Sequence, residues 1–129
     1  MTTRSDPKNR QPLPPEAFDL MSERFQALGA PSRLALLSSL MERERTVQEL
    51  VEATGLTQTN VSRHLAVLRQ AGLVTRRARG NQALYSIGDP SIEALCHLVC
   101  DSLADRLNER LGALGRAAPE PRSTRKLRP

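Results

Sequence analysis

Two helix brackets meet in this chain with a single residue between them. Thr46-Val47-Gln48-Glu49 has the form of a capping box, in which the Thr46 hydroxyl accepts from the Glu49 N–H and the Glu49 carboxylate reaches back to the Thr46 N–H. The short helix it opens is expected to bury Val47, Leu50 and Val51 and to stop at Gly55. Leu56 stands alone in the turn. Thr57 then caps a further helix running to Ala71, closed by Gly72 at the C′ position. Two capped helices of about eight and fourteen residues joined by a tight Gly-containing turn are the signature of a helix-turn-helix.

The second of these helices has an unusual polarity order, TQTNVSRHLAVL. A helix bound only for a core shows an apolar stripe from its first turn, whereas this one presents Thr57, Gln58, Thr59 and Asn60 before Val61, Leu65 and Leu68. A helix entering a DNA major groove needs donors and acceptors at its leading end and apolar residues behind them. On that reading Thr57, Gln58, Thr59, Asn60 and Ser62 face bases or sugar edges, and Arg63 and His64 face bases or phosphates. The competing reading is an ordinary amphipathic helix, since Ser, Thr and Asn favour helix starts in any case.

The segment after this helix separates the two readings. Leu73 to Ala78 and Gln82 to Ile87 are strand-like runs joined by Arg79-Gly80-Asn81, a β-hairpin by composition and length. A basic hairpin after a helix-turn-helix is a wing, and its Arg76, Arg77 and Arg79 are candidates for phosphates or a flanking minor groove. Alternatively these arginines are a solvated edge protected by charge. The net charge of +5 is segregated: Ala53 to Gly88 holds five arginines and no acid, and the stretch after Gly115 holds Arg116, Arg122, Arg125, Lys126 and Arg128 against Glu120. Segregated positive charge suits a polyanion partner.

The flanks of this centre have simpler patterns. Residues 1–14 carry Pro7, Pro12 and Pro14 among polar residues and are expected to form a disordered arm, and 115–129 a basic disordered tail. Residues 15–114 form one domain. Phe18, Met21, Phe25 and Leu28 recur at helical spacing and give a first helix ending at Gly29. Pro31 suits the first turn of the next, with Leu34, Leu37 and Leu40 as its buried stripe, fading in the charged run Glu42 to Arg45. The expected fold is mainly α with a small two-stranded hairpin, in the order α-α-α-α-β-β-α. No apolar run approaches the length of a membrane span, and the start lacks the apolar core of an export signal, so a cytoplasmic location is expected.

Together these segments resemble the arsenic-resistance repressor (ArsR) family of bacterial winged-helix regulators. The resemblance covers roughly Phe18 to Leu111. It rests on Leu28-Gly29-Ala30-Pro31-Ser32-Arg33-Leu34, on Leu56 to Leu65, on Val67 to Val74 and on the hairpin ending at Tyr85. It implies a homodimer joined through the first and last helices that represses transcription until an effector releases it from double-stranded DNA. Two effector sites of the family are not intact. Where the family carries a metalloid motif E-L-C-V-C, Glu49 and Leu50 match but Val51 and Ala53 replace the cysteines. A zinc pattern on the last helix, aligned on Tyr85, falls on Asp89, Ser91, Ser102 and Asp105, a donor set without imidazole.

The last helix, from about Pro90 to Leu114, instead carries Cys96-His97-Leu98-Val99-Cys100-Asp101 beside an apolar stripe of Ile92, Leu95, Val99, Leu103 and Leu107. Side chains at i and i+4 have Cβ atoms about 5–6 Å apart, whereas a disulfide wants roughly 3.5–4.5 Å. A relaxed disulfide within the helix is therefore disfavoured. A thiophilic metal or metalloid ion, with bonds near 2.3 Å to each sulfur, or a polysulfide link spans the gap, with His97 as a candidate third ligand. The plainer alternative is that both cysteines are small buried hydrophobes. A protein-contact module using the acidic stretch Asp89 to Glu109 is a second functional class, opposed by the acid-free basic run. An enzyme built on the cysteines is a third, and no phosphate-binding loop, helix-leading CxxC or paired carboxylates accompany it.

Overall fold

The computed structural model describes residues 11–113, so residues 1–10 of the arm expected at 1–14, and the whole basic tail expected at 115–129, lie outside the described residues. Residues 11–14 are exposed and non-helical. The element order is α1 (Pro15–Leu28), α2 (Pro31–Glu42), β1 (Arg45–Thr46), α3 (Val47–Thr54), α4 (Gln58–Gln70), β2 (Val74–Arg79), β3 (Gln82–Ile87) and α5 (Pro90–Ala113). The five helices and hairpin are those read from the sequence. The short strand β1 adds to them, so the wing is part of a three-stranded antiparallel sheet in the order β1-β3-β2. Two residues carry no period of their own, which is why β1 is invisible in the sequence.

The local stops and starts obey their chemistry. Thr46 and Glu49 form the reciprocal capping box, with Glu49 N to Thr46 Oγ1 at 3.2 Å and Thr46 N to Glu49 Oε1 at 3.1 Å. α3 ends at Gly55, whose left-handed φ of 76° a side chain would resist. Thr57 caps α4 through the Asn60 N–H at 3.2 Å. The hairpin loop is Gly80-Asn81, shorter than expected, because Arg79 still pairs with Gln82. At the wing's base Gly88 is closely packed: a Cβ there would lie 3.1 Å from Thr75 Cγ2 and 3.3 Å from the Gly72 carbonyl oxygen and the Val74 backbone, so these neighbours would have to give.

The core gathers around the helix-turn-helix. Leu36, Leu37, Leu50, Val61, Leu65, Leu68 and Leu73 are wholly inaccessible and Leu56 nearly so, each contributing about 1.5–3 kcal/mol of apolar burial. Leu56, alone in the turn, plugs this core from between α3 and α4. On α2 the buried stripe is Leu36, Leu37 and Leu40, not Leu34, which is 43% exposed. α2 is apolar on a wide arc, and only one edge of it meets the core. The other edge joins Phe25 of α1 and Leu95, Val99 and Leu103 of α5 along an open apolar groove. Ile92 anchors the start of α5 in the core, while Leu98, Val99, Leu103 and Leu107 beyond it remain exposed.

Candidate nucleic-acid interface

α4 turns Val61, Leu65 and Leu68 inward and leaves Thr57, Gln58, Thr59, Ser62 and Arg63 exposed. The polar leading turn therefore stands on a helix whose opposite face is immobilised in the core. Within it, Arg63 Nη2 donates to Asn60 Oδ1 at 2.8 Å, one turn apart. That bond orients the Asn60 amide and holds the guanidinium close to the helix. A three-residue connection, tied by Leu73 N to Leu68 O at 2.9 Å, places the wing directly after α4.

His64 is only partly exposed, and it is turned toward α2. Its Nδ1 lies 3.4 Å from Arg33 Nη1. A guanidinium can only donate, so Nδ1 accepts and the neutral ring carries its proton on Nε2. Burial, then the charges of Arg33 and Arg63, push the His64 pKa down. Sequence reasoning misses the part that Arg33 plays. Its Nε donates to the Ala27 carbonyl at 2.6 Å and its Nη2 to the Gln26 carbonyl at 3.0 Å, so it caps the end of α1 while touching the helix at α4. A basic residue at a helix C-terminus meets the negative end of the dipole. The Pro31-Ser32-Arg33 start of α2, three residues after α1 ends, is the available signal.

The three wing arginines are not equivalent. Arg76 and Arg79 are exposed and enter no ion pair among the described residues, whereas Arg77 is held by Glu44. At the other end of the sheet Arg24 of α1 pairs with Asp89, which also accepts from the Ser91 N–H and hydroxyl and so caps α5. The hydrogen bonds from Ser91, ahead of those from Arg24, hold the Asp89 carboxyl below its usual range.

Cys96 is half-buried against the core and Cys100 is exposed; both are reduced thiols lining the groove between α1, α2 and α5. Burial, and secondarily the charge of Cys100, raise the Cys96 pKa, so this side chain is a protonated thiol at neutral pH. His97 also lines the groove, but it is largely exposed and its Nε2 lies 3.8 Å from Glu93 Oε1. Among the described residues no three His, Cys, Asp or Glu side chains are arranged to hold a metal ion, so His97 does not complete a three-ligand site within one chain. Nor is any described helix long and apolar enough to cross a membrane.

Residues 30–76 match the family model described as bacterial regulatory protein, arsR family. The chain is 40% identical over 98 residues to the HTH-type transcriptional regulator Rv0081 of Mycobacterium tuberculosis, covering 75% of this chain and 86% of that protein. The Rv0081 crystal structure superposes with a TM-score of 0.66 at 39% identity, over 77% of this chain and 99% of the other. The HTH-type transcriptional repressor SmtB of the same species is 41% identical over 93 residues, 72% of this chain and 67% of the repressor. The solution structure of the homodimeric winged helix-turn-helix DNA-binding domain of Mb0332 from Mycobacterium bovis has a TM-score of 0.68 at 29% identity, over 84% and 95% of the two chains.

Proposed function

Because the chain belongs to the arsR family of bacterial transcriptional regulators, we propose that it represses transcription as a cytoplasmic homodimer reading double-stranded DNA through the leading turn of α4. The observation that carries this reading is the exposed Gln58, Thr59, Ser62 and Arg63, with the half-exposed Asn60 among them, on a helix anchored by Val61, Leu65 and Leu68. Side chains on a rigid element reach base edges with their geometry already set, and Arg76 and Arg79 add phosphate contacts from the wing. Thr57 serves as the cap of this turn and, being exposed, is assigned to a sugar-phosphate edge. His64 supports the helix from behind through Arg33. Residues 15–114 form the domain that does this, and the basic tail beyond it supplies nonspecific attraction to DNA.

Dimerisation uses α1 and α5. Phe18, Met21 and Phe25 on one and Val99, Leu103 and Leu107 on the other are 40–60% exposed, an apolar face that a lone chain leaves in water. Selection from a random duplex pool with the full chain tests the whole reading. Enrichment of a two-fold symmetric site with half-sites about one helical turn apart is expected. Asn60→Ala should lose about 1–3 kcal/mol on that site and relax its sequence preference. Failure to enrich any sequence contradicts it.

A thiol-dependent effector is supported by one further observation: Cys96 and Cys100 both border the apolar groove between α1, α2 and α5, beside the face proposed here for dimerisation. The raised Cys96 pKa means that a thiophilic ion, an oxidant or a reactive sulfur species must each act with loss of the thiol proton. A thiophilic ion held by both sulfurs is the effector tested first. Such an ion should release DNA from the wild type but not from the C96S/C100S variant. Equal release from both leaves the cysteines as packing residues.

A further inference from the structure

The charged run Glu42-Arg43-Glu44-Arg45, in sequence only the frayed end of a helix, is engaged in three directions. Arg45 turns back onto α2, with Nη2 at 2.5 Å from Glu42 Oε2 and Nε at 2.9 Å from the Ser39 carbonyl. Arg43 turns forward to Glu49 Oε2, the acid of the α3 capping box, at 2.7 Å. Glu44 turns sideways to the wing and accepts both arms of one guanidinium, Arg77 Nη2 at 2.6 Å and Nε at 3.1 Å.

The sheet register shows what this last pair does. Thr46 lies opposite Leu84, and Leu84 opposite Arg77, so the three side chains share one face of the sheet. Glu44, two residues before Thr46, falls on that face as well. Leu84 is 3% exposed although it lies outside the main core cluster. The Glu44–Arg77 pair spans the sheet across it, from the segment that starts α3 to the outer strand of the wing.

We propose that Glu44 and Arg77 are positioning residues that brace the wing against the helix-turn-helix, and that Arg77 is not a phosphate contact. This rests on the DNA-binding reading above. The fork-on-carboxylate contact takes the Nε and Nη2 donors of Arg77 and sets a carboxylate beside the guanidinium, which repels a phosphate approaching the donors that are left. Moving Arg77 to DNA would leave the Glu44 carboxylate unpaired beside a polyanion. The hydrogen bond from Arg77 holds the Glu44 carboxyl below its usual range, so the pair stays ionised across the pH range of DNA binding. Arg76, opposite Tyr85 on the other face, and Arg79, beside the hairpin loop, are left to meet phosphates.

Two measurements on the full chain test the proposal. Without DNA, amide exchange over residues 82–87 should quicken about two- to fivefold in both E44Q and R77Q, and return toward wild type in the charge-swapped E44R/R77E. Unchanged exchange in R77Q overturns the brace. With random duplex DNA, R76Q and R79Q should each flatten the slope of log K against log salt by about 0.9 per bound phosphate lost, while R77Q weakens binding at unchanged slope. A slope lowered in R77Q as much as in R76Q overturns the assignment. If the wild type shows no salt-dependent DNA binding, the functional reading fails and the exchange arm still decides the brace.

Discussion

The turn between α3 and α4 fixes the angle at which α4 is presented, and one hydroxyl holds it. Thr54, 5% exposed at the end of α3, donates to the Leu50 carbonyl at 2.7 Å and accepts from the Leu56 N–H at 3.3 Å. Thr54→Val keeps the shape and removes both bonds. The Leu56 N–H belongs to a residue 1% exposed, so water does not replace its lost partner. An unsatisfied buried donor costs about 1–3 kcal/mol, and the added methyl recovers part of that. A net loss of about 1–2 kcal/mol is expected, which shifts Tm by about 4–8 °C per kcal/mol for a domain of this size. Urea unfolding at one fixed protein concentration reads it, since dimerisation makes stability concentration-dependent. Thr54→Ser, which keeps the hydroxyl, should lose less. A valine variant that matches the wild type, with the serine variant the weaker of the two, would refute this role for the hydroxyl.

Two other predictions concern the helices around that turn. Burial and Arg33 hold the folded His64 pKa below its ordinary value of 6.5, so below that value the unfolded chain binds more protons than the folded one. Wild-type stability should therefore be complete above about pH 6.5 and fall as pH drops through the window beneath it. H64Q should show a shallower fall between pH 7.5 and 5.5, and an equal or steeper one would refute the His64–Arg33 arrangement. L103D, on the exposed stripe of α5, should convert a dimer to a monomer in sedimentation velocity while leaving the helical circular dichroism intact; a variant still dimeric at micromolar concentration removes α5 from the interface.

Most of this architecture is legible in the sequence because its signals are local. The capping box at Thr46–Glu49, the Thr57 cap and the glycine stop at Gly55 each depend on a few consecutive residues, and the structure realises all three. Long-range relations are not legible. Leu34 and Leu36 lie on one apolar arc of α2, and nothing in their spacing says which edge meets the core and which meets the groove. Arg77 reads like Arg76 and Arg79 until strand register sets it beside Glu44, 33 positions earlier. His64 comes after a polar turn that points outward, yet its place beside Val61, Leu65 and Leu68 turns it toward Arg33. Period and capping encode which face is apolar; partners far apart in sequence decide what each face touches.

The salt dependence of DNA affinity tests the central claim most directly. Arg76 and Arg79 enter no ion pair among the described residues. If both meet phosphates in both subunits, log K should fall with log salt at a slope of about −3.6. A slope near that value, measured by fluorescence anisotropy of the wild-type chain on duplex DNA, is the expected result, and a slope shallower than about −1 would contradict the account.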